Sequence, residues 1–238
     1  MANSIEVVLS PALLQAHQVH HKTVVIIDIL RATSSMCVAF ETGVNKILPV
    51  AGLDECLLYR EFDFLCAGER DAQKVEGFDL GNSPFEFTNP LLAGRNIAFT
   101  TTNGTKAIKM ARSQGAAHIL IGSFLNLDAV IKQLQAMQQD VVLLCAGWKD
   151  KVNLEDTLFA GALTSKLRQH LNTDCDAAIS SALLYEQNSD RLVELVRQSS
   201  HARRFTMLDM QTDDVAFCLQ QNICTKVPKL KGEYIFAS

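Results

Sequence analysis

The chain has no Cys-x-x-Cys pair among its seven cysteines, no block of basic residues and no apolar run longer than a β-strand. Each absence removes a class of function. Cys37, Cys56, Cys66, Cys145, Cys175, Cys218 and Cys224 are an odd set, several of them inside apolar runs; they suit reduced core thiols better than disulfides or zinc ligands. Lysine and arginine number 22 against 26 acidic residues, a formal net charge of -4. Without a cationic stripe, neither nucleic acid nor a membrane surface is a fitting partner. The opening MANSIEVVLSPALLQAHQ lacks the basic and apolar regions of a secretory signal, so a cytoplasmic protein is expected. No glycine- or proline-rich linker and no internal repeat interrupts the chain. What is present is 238 residues, 48% of them hydrophobic, enough to bury a large core in one α/β domain or two small ones. The expected partner is a small molecule.

Seven short runs rich in β-formers recur between turn residues: 5–10, 23–30, 46–50, 64–69, 96–102, 118–123 and 140–147. Most are continuously apolar, the pattern of strands covered on both faces. Helix-periodic stretches lie between them, and Gly43 and Gly115 follow two of these as C-caps would. Alternating strand and helix predicts a three-layer α/β fold with a largely parallel or mixed sheet and helices on both faces. Residues 1–171 form the expected main domain. Residues 172–238 read as a C-terminal helical extension or subdomain packed on it, ending in the strand candidate KVPKLKGEYIF.

In a parallel sheet ligands bind beyond the carboxyl ends of the strands, and several ends are unusually polar. Asp28 stands in the run IIDIL and is followed by Arg31; a carboxylate there must be paired or bind metal to stay ionised. Pairing with Arg31 or capping a loop is the structural alternative. Glu69 and Arg70 close another run, Ser123 and Asn126 a third, and Glu155 and Asp156 follow a fourth. Converging carboxylates would suit Mg²⁺, although acidic residues in a helix's first turn are favoured by the macrodipole whatever the function. The stretch TTTNGTKAI (100–108) carries Thr101, Thr102, Asn103, Gly104 and Thr105 at a predicted strand-to-helix turn, whose free N–H groups attract anions. It is neither a Walker loop nor a dinucleotide fingerprint, which disfavours a nucleotide-binding enzyme. Position 30, where an aspartyl-nucleophile phosphatase carries a second Asp, is Leu30. His17, His20 and His21 have nominal metal spacing but read as a solvated helix end, and of the other histidines only His201, beside Arg203 and Arg204, is a candidate acid.

The blocks VVIIDILRATSS, AGERDAQKVEGFDLGNSPFEF, TTTNGTKAI, IGSFLN, LCAGWKDKVNLEDTLFAGAL and SSHARRFTMLDMQTDDVAFCLQQN resemble, in that order, those of the 2-phosphosulfolactate phosphatase family. The resemblance covers nearly the whole chain. It implies a magnesium-dependent phosphatase acting on phosphorylated 2-hydroxy acids, with 2-phospho-3-sulfolactate, a coenzyme M precursor, as the name-giving substrate. Asn82 lies within a matching block, whereas Trp148 and Lys149 depart from the family's smaller or more varied residues there. On chemistry, Asp28, Glu69 and Arg31 are expected to be catalytic, and Asp28, Glu69, Glu155 and Asp156 to hold Mg²⁺. Arg70, Thr101, Thr102, Asn103, Gly104, Thr105, Ser123, Asn126 and Arg204 are expected to bind a small anionic substrate, with Tyr185, Leu183 and Trp148 shaping the cleft. A homodimer is compatible with this reading. Two rivals remain: a non-catalytic binder of phosphorylated acids, and a phosphatase of the same chemistry with another metabolite.

Overall fold

The apolar runs become the strands of one mixed sheet in the computed structural model, which describes residues 3–207 and 213–237. The strands are β1 (Ile5–Val8), β2 (Thr23–Ile27), β3 (Lys46–Pro49), β4 (Phe64–Arg70), β5 (Gln73–Lys74), β6 (Asn96–Thr100), β7 (His118–Gly122), β8 (Val141–Cys145), β9 (Lys229–Lys231) and β10 (Tyr234–Phe236). Helices α1 (Ala32–Thr42), α2 (Leu53–Leu58), α3 (Gly104–Ser113), α4 (Leu127–Met137) and α5 (Leu154–Leu167) connect or follow strands. Helices α6 (Asp176–Glu186), α7 (Leu192–Arg197), α8 (Ser200–Met207) and α9 (Asp214–Cys218) form the helical C-terminal part. Residues 208–212 of the last family-like block lie outside the described residues.

Strand order is β1-β8-β2-β7-β9-β10-β3-β6-β4-β5. Two parallel sets, β1-β8-β2-β7 and β3-β6-β4, are joined by the antiparallel β9–β10 hairpin. The end of the chain therefore lies inside the sheet as well as beside it. The period of two along β2 shows why both faces need cover. Val25 and Ile27 enter one core with Phe124, Leu158 and Phe159, while Val24 and Ile26 enter the other with Met36, Phe40 and Ala107. A smaller third core gathers Leu48, Phe64, Cys66 and Phe78.

Gly43 ends α1 at φ 102°, and Gly115 follows α3 at φ 77°, as the sequence predicts for left-handed C-caps. All seven thiols are free, six of them buried. His17 bonds Glu6 at 2.8 Å, while His20 and His21 are exposed. Among the described residues no helix is long and apolar enough to cross a membrane.

Candidate active site

Strand β2 stops at Ile27, one residue short of the carboxylate, so Asp28 stands just beyond the sheet rather than within it. Thr33 holds that corner: its backbone N–H donates to the Asp28 carbonyl at 3.0 Å, and its Oγ1 accepts from the Asp28 N–H at 3.1 Å. The Asp28 side chain is buried and lines a cavity with Glu69, Asn82, Thr102, Asn103 and His201. Burial pushes its pKa from the ordinary 3.8 up to about 6; His201 pulls it down, Glu69 pushes it up, the Ala32 N–H pulls it down and Glu155 pushes it up. A buried carboxylate with a pKa raised in this way, in a cleft, marks a candidate functional site.

Glu69 is the anion that the threonine-rich turn holds. Its Oε1 accepts from the Thr102 N–H and hydroxyl, both at 2.9 Å, and its Oε2 from the Ala72 N–H at 2.8 Å. The remaining threonines satisfy one another and the frame. Thr101 Oγ1 accepts from the Thr105 N–H at 3.3 Å, and the Thr105 hydroxyl donates to the Thr101 carbonyl at 2.8 Å. Thr100 Oγ1 accepts from Arg70 at 3.0 Å. Gly104 is required by closeness: a Cβ there would lie 2.8 Å from Ala32 Cβ and 2.9 Å from Asp28 Oδ2.

Helix α8 forms the opposite wall. His201 Nδ1 lies 2.6 Å from Glu155 Oε1, and its ring stacks on Trp148 with centroids 5.9 Å apart. Glu155 is fully buried, and its contact with Nδ1 fixes the orientation of the ring and leaves Nε2 as the other ring nitrogen. Arg31 is buried and paired with Asp214, which also accepts from Ser83 Oγ at 2.8 Å. Its other nitrogen donates to the Ala72 carbonyl at 2.8 Å, and its guanidinium lies over Phe205 at 4.9 Å. Arg31 thus lines the cavity while fastening α9 and the β4–β5 hairpin around it. The carboxylate of its buried ion pair is that of Asp214.

The match to the 2-phosphosulpholactate phosphatase family model runs over residues 8–233. The chain belongs to that family. It is 38% identical over 226 residues to the Probable 2-phosphosulfolactate phosphatase of Thermotoga petrophila, covering 95% of each chain. Identity to the protein of the same description from Caldanaerobacter subterraneus subsp. tengcongensis is 39% over 222 residues, 91% of each chain. For that from Clostridium acetobutylicum it is 34% over 230 residues, 94% of this chain and 96% of the other. The 2-phosphosulfolactate phosphatases are phosphoric monoester hydrolases, and the polar cavity at the strand ends is the candidate site.

Within this family member the expected site residues divide in two. Asp28, Glu69, Arg31, Thr102, Asn103 and Arg204 line the cavity, and Gly104 abuts Asp28 from beneath. Ser123 and Asn126 instead form a capping box at the 3-10 turn Phe124–Asn126: Asn126 Oδ1 accepts from the Ser123 N–H at 2.9 Å. Both are completely buried and tie β7 to Ser34 and to the Lys226 carbonyl. Arg70 alternates to the other side of β4 from Glu69, donating to Thr100 and to the Glu69 carbonyl. Thr105 faces a separate groove beside Pro49 and Arg112. Tyr185 packs on Phe124 within the core and Leu183 is exposed on α6, so of the three expected cleft residues Trp148 alone lines the cavity.

The acidic pair on α5 is also drawn inward. Asp156 Oδ1 accepts from the Ile29 N–H at 2.8 Å and Oδ2 from the Gly147 N–H at 3.1 Å, tying together the ends of β2 and β8. Burial pushes its pKa well up, with Asp28 and Glu155 adding to it. Among the described residues, no group of three His, Cys, Asp or Glu side chains is arranged to hold a metal. Among the oxygen-bearing residues that line the cavity are Asp28, Glu69 and Asn82, and Asn82 Oδ1 is buried without a partner. Two carboxylates and a carboxamide oxygen fit a hard cation such as Mg²⁺, which keeps several waters and takes few protein ligands beside substrate oxygens. Asp71, which lines the cavity, and Asp214, which pairs with the cavity-lining Arg31, escape sequence reasoning, because only the folded hairpin and α9 bring them there. His201 had a signal, its place beside two arginines.

Proposed function

We propose that the chain is a magnesium-dependent phosphatase of phosphorylated 2-hydroxy acids, releasing phosphate and 3-sulfolactate from 2-phospho-3-sulfolactate, a coenzyme M precursor. The observation that carries this reading is the buried Asp28, held near pKa 6 in one cavity with Glu69 and the unpartnered Asn82 oxygen. These three would hold Mg²⁺, with Asp156 and Glu155 supporting the frame around them. When bound, the ion neutralises charge on the phosphoryl oxygens.

Thr102 and Asn103 border the phosphoryl position from the α3 side. Water attacks phosphorus, and the absence of a carboxylate at Leu30 disfavours a phospho-aspartate intermediate. The departing oxygen belongs to an alcohol and leaves poorly without a proton. His201, oriented through Nδ1 by Glu155, supplies it from Nε2. Lys149 and Arg204, both at the cavity, take the carboxylate or sulfonate of the substrate. Seven free thiols support a reducing, cytoplasmic setting.

The test is phosphate release by the purified chain from 2-phospholactate and 2-phospho-3-sulfolactate, with magnesium and with chelator. Magnesium-dependent release supports the reading. Binding without release, with or without magnesium, would leave a non-catalytic binder.

A further inference from the structure

Two hairpin tips and α8 meet at the mouth of the cavity, and one carboxylate stands between the cations there. Asp71 Oδ1 lies 2.9 Å from Arg204 Nη2 and 3.7 Å from Lys149 Nζ. Both cations rest on the same indole: the Arg204 guanidinium is 5.0 Å and the Lys149 nitrogen 5.2 Å from the Trp148 ring. All four residues line the cavity.

The backbone is bent specifically to bring these groups together. Asp71 and Ala72 have φ 53° and 70° at the β4–β5 turn, and Lys149 and Asp150 have φ 52° and 60° at the turn closed by Trp148 and Lys151. Such two-residue turns usually recruit glycine, yet none is present in either. Left-handed backbone at non-glycine residues persists where the surroundings fix it, and it gathers at functional sites. Here the first tip is fixed by Glu69, which accepts the Ala72 N–H, and by Arg31, which donates to the Ala72 carbonyl. The second is fixed by Lys106 on the Asp150 carboxylate at 2.7 Å and by the Ser10 hydroxyl on the Asp150 carbonyl at 2.6 Å.

The Asp71 side chain is 71% exposed, against 26% for Arg204 and 55% for Lys149. An ion pair this open contributes little to stability. An incoming carboxylate or sulfonate can therefore replace Asp71, whose side chain turns into the water it already faces. Resting on the phosphatase reading above, we propose that Asp71 is a resident counter-anion. It occupies the Lys149–Arg204 pair until a carboxylate or sulfonate of the substrate displaces it, and the exchange makes that pair a subsite for an anion other than the phosphate.

Asp71→Asn keeps the turn, since asparagine tolerates left-handed backbone, and removes the competing charge. The KM for 2-phospholactate is expected to fall about two- to five-fold. The KM for isopropyl phosphate, which lacks the carboxylate, is expected to stay the same, and the gain to disappear when Arg204→Gln is added. An unchanged or raised KM for 2-phospholactate overturns the proposal, and so does an equal gain for isopropyl phosphate. Calorimetric titration with 3-sulfolactate reads the same exchange without turnover: about two- to five-fold tighter binding by Asp71→Asn supports it, and equal or weaker binding overturns it. Because that arm needs no catalysis, a chain that releases no phosphate refutes the proposed function and leaves this inference decided separately.

Discussion

Replacing Asp28 by asparagine is expected to remove activity and yet raise stability, and the size of the second effect follows from the first residue's surroundings. In the folded protein Asp28 holds its proton up to about pH 6, against an ordinary 3.8, chiefly because it is buried. At about 1.4 kcal/mol for each tenfold change in proton affinity, the ionised side chain costs the fold about 3 kcal/mol relative to a neutral one. Below pH 3.8 both folded and unfolded chains carry the proton, and the cost is absent. Between 3.8 and 6 the unfolded chain has released its proton while the folded one has kept it, so stability falls as pH rises. Above 6 the full cost is present. In chelator at pH 8, Asp28→Asn should therefore unfold roughly 6–12 °C higher than the parent, at roughly 2–4 °C per kcal/mol for a chain of this size, and the gap should close towards pH 4. Magnesium should narrow it at pH 8 by stabilising the parent alone. Phosphate release should drop by at least about 10²-fold. Thermal scans at pH 4 and 8, paired with a phosphate assay, check both halves. A gain as large at pH 4 as at pH 8 would refute the burial argument, and full activity would refute the assigned role.

Two further outcomes follow from single contacts. Gly104→Ala forces a methyl group against Ala32 and the Asp28 carboxylate, which should cost about 1–3 kcal/mol by overpacking and reduce activity more than the modest drop in melting temperature explains; unaltered turnover would show that Asp28 tolerates displacement. His201→Gln should lower kcat on 2-phospholactate by about 10²- to 10⁴-fold and lower it far less on an aryl phosphate, whose leaving group needs no proton; equal losses on both esters would assign His201 to packing against Trp148.

How much of this was legible beforehand depends on the range of the interaction involved. The strands under both helical layers were visible because Val24 to Ile27 must be apolar on either face, and Gly43 was visible because its local geometry demands glycine. The position of β9–β10 was not, since strand order depends on contacts nearly two hundred residues apart, such as Ile235 with Ile47. At the site the strand-end rule found Asp28, Glu69, Thr102 and Asn103. It also collected Ser123, Asn126, Thr101 and Thr105, which stand at the same ends for a different reason. A strand that stops leaves backbone groups needing partners, and short polar side chains supply them. Composition alone does not distinguish a hydroxyl that closes a turn from one that meets a ligand. Arg70 was misplaced by a single residue of alternation, because adjacent strand residues face opposite sides.

The cavity also constrains the shape of the sheet. Asp28 follows β2 and Glu69 lies on β4, and these strands are six positions apart in the sheet order. In a flat sheet six spacings of about 4.8 Å would separate them by about 29 Å. Yet both carboxylates line one cavity, and Glu69 helps raise the pKa of Asp28. The sheet must therefore curl until the carboxyl ends of its two parallel sets face each other. The β9–β10 hairpin is suited to that bend, because it registers with each flanking strand through a single pair, Leu120 with Lys229 and Ile235 with Ile47. Long ladders on both flanks would hold neighbouring strands to the gradual twist of a regular sheet, whereas single pairs let the two sets turn toward each other. Strands β9 and β10, which among the described residues contribute none of the cavity's lining, thus stand at the bend between the strand that precedes Asp28 and the one that carries Glu69.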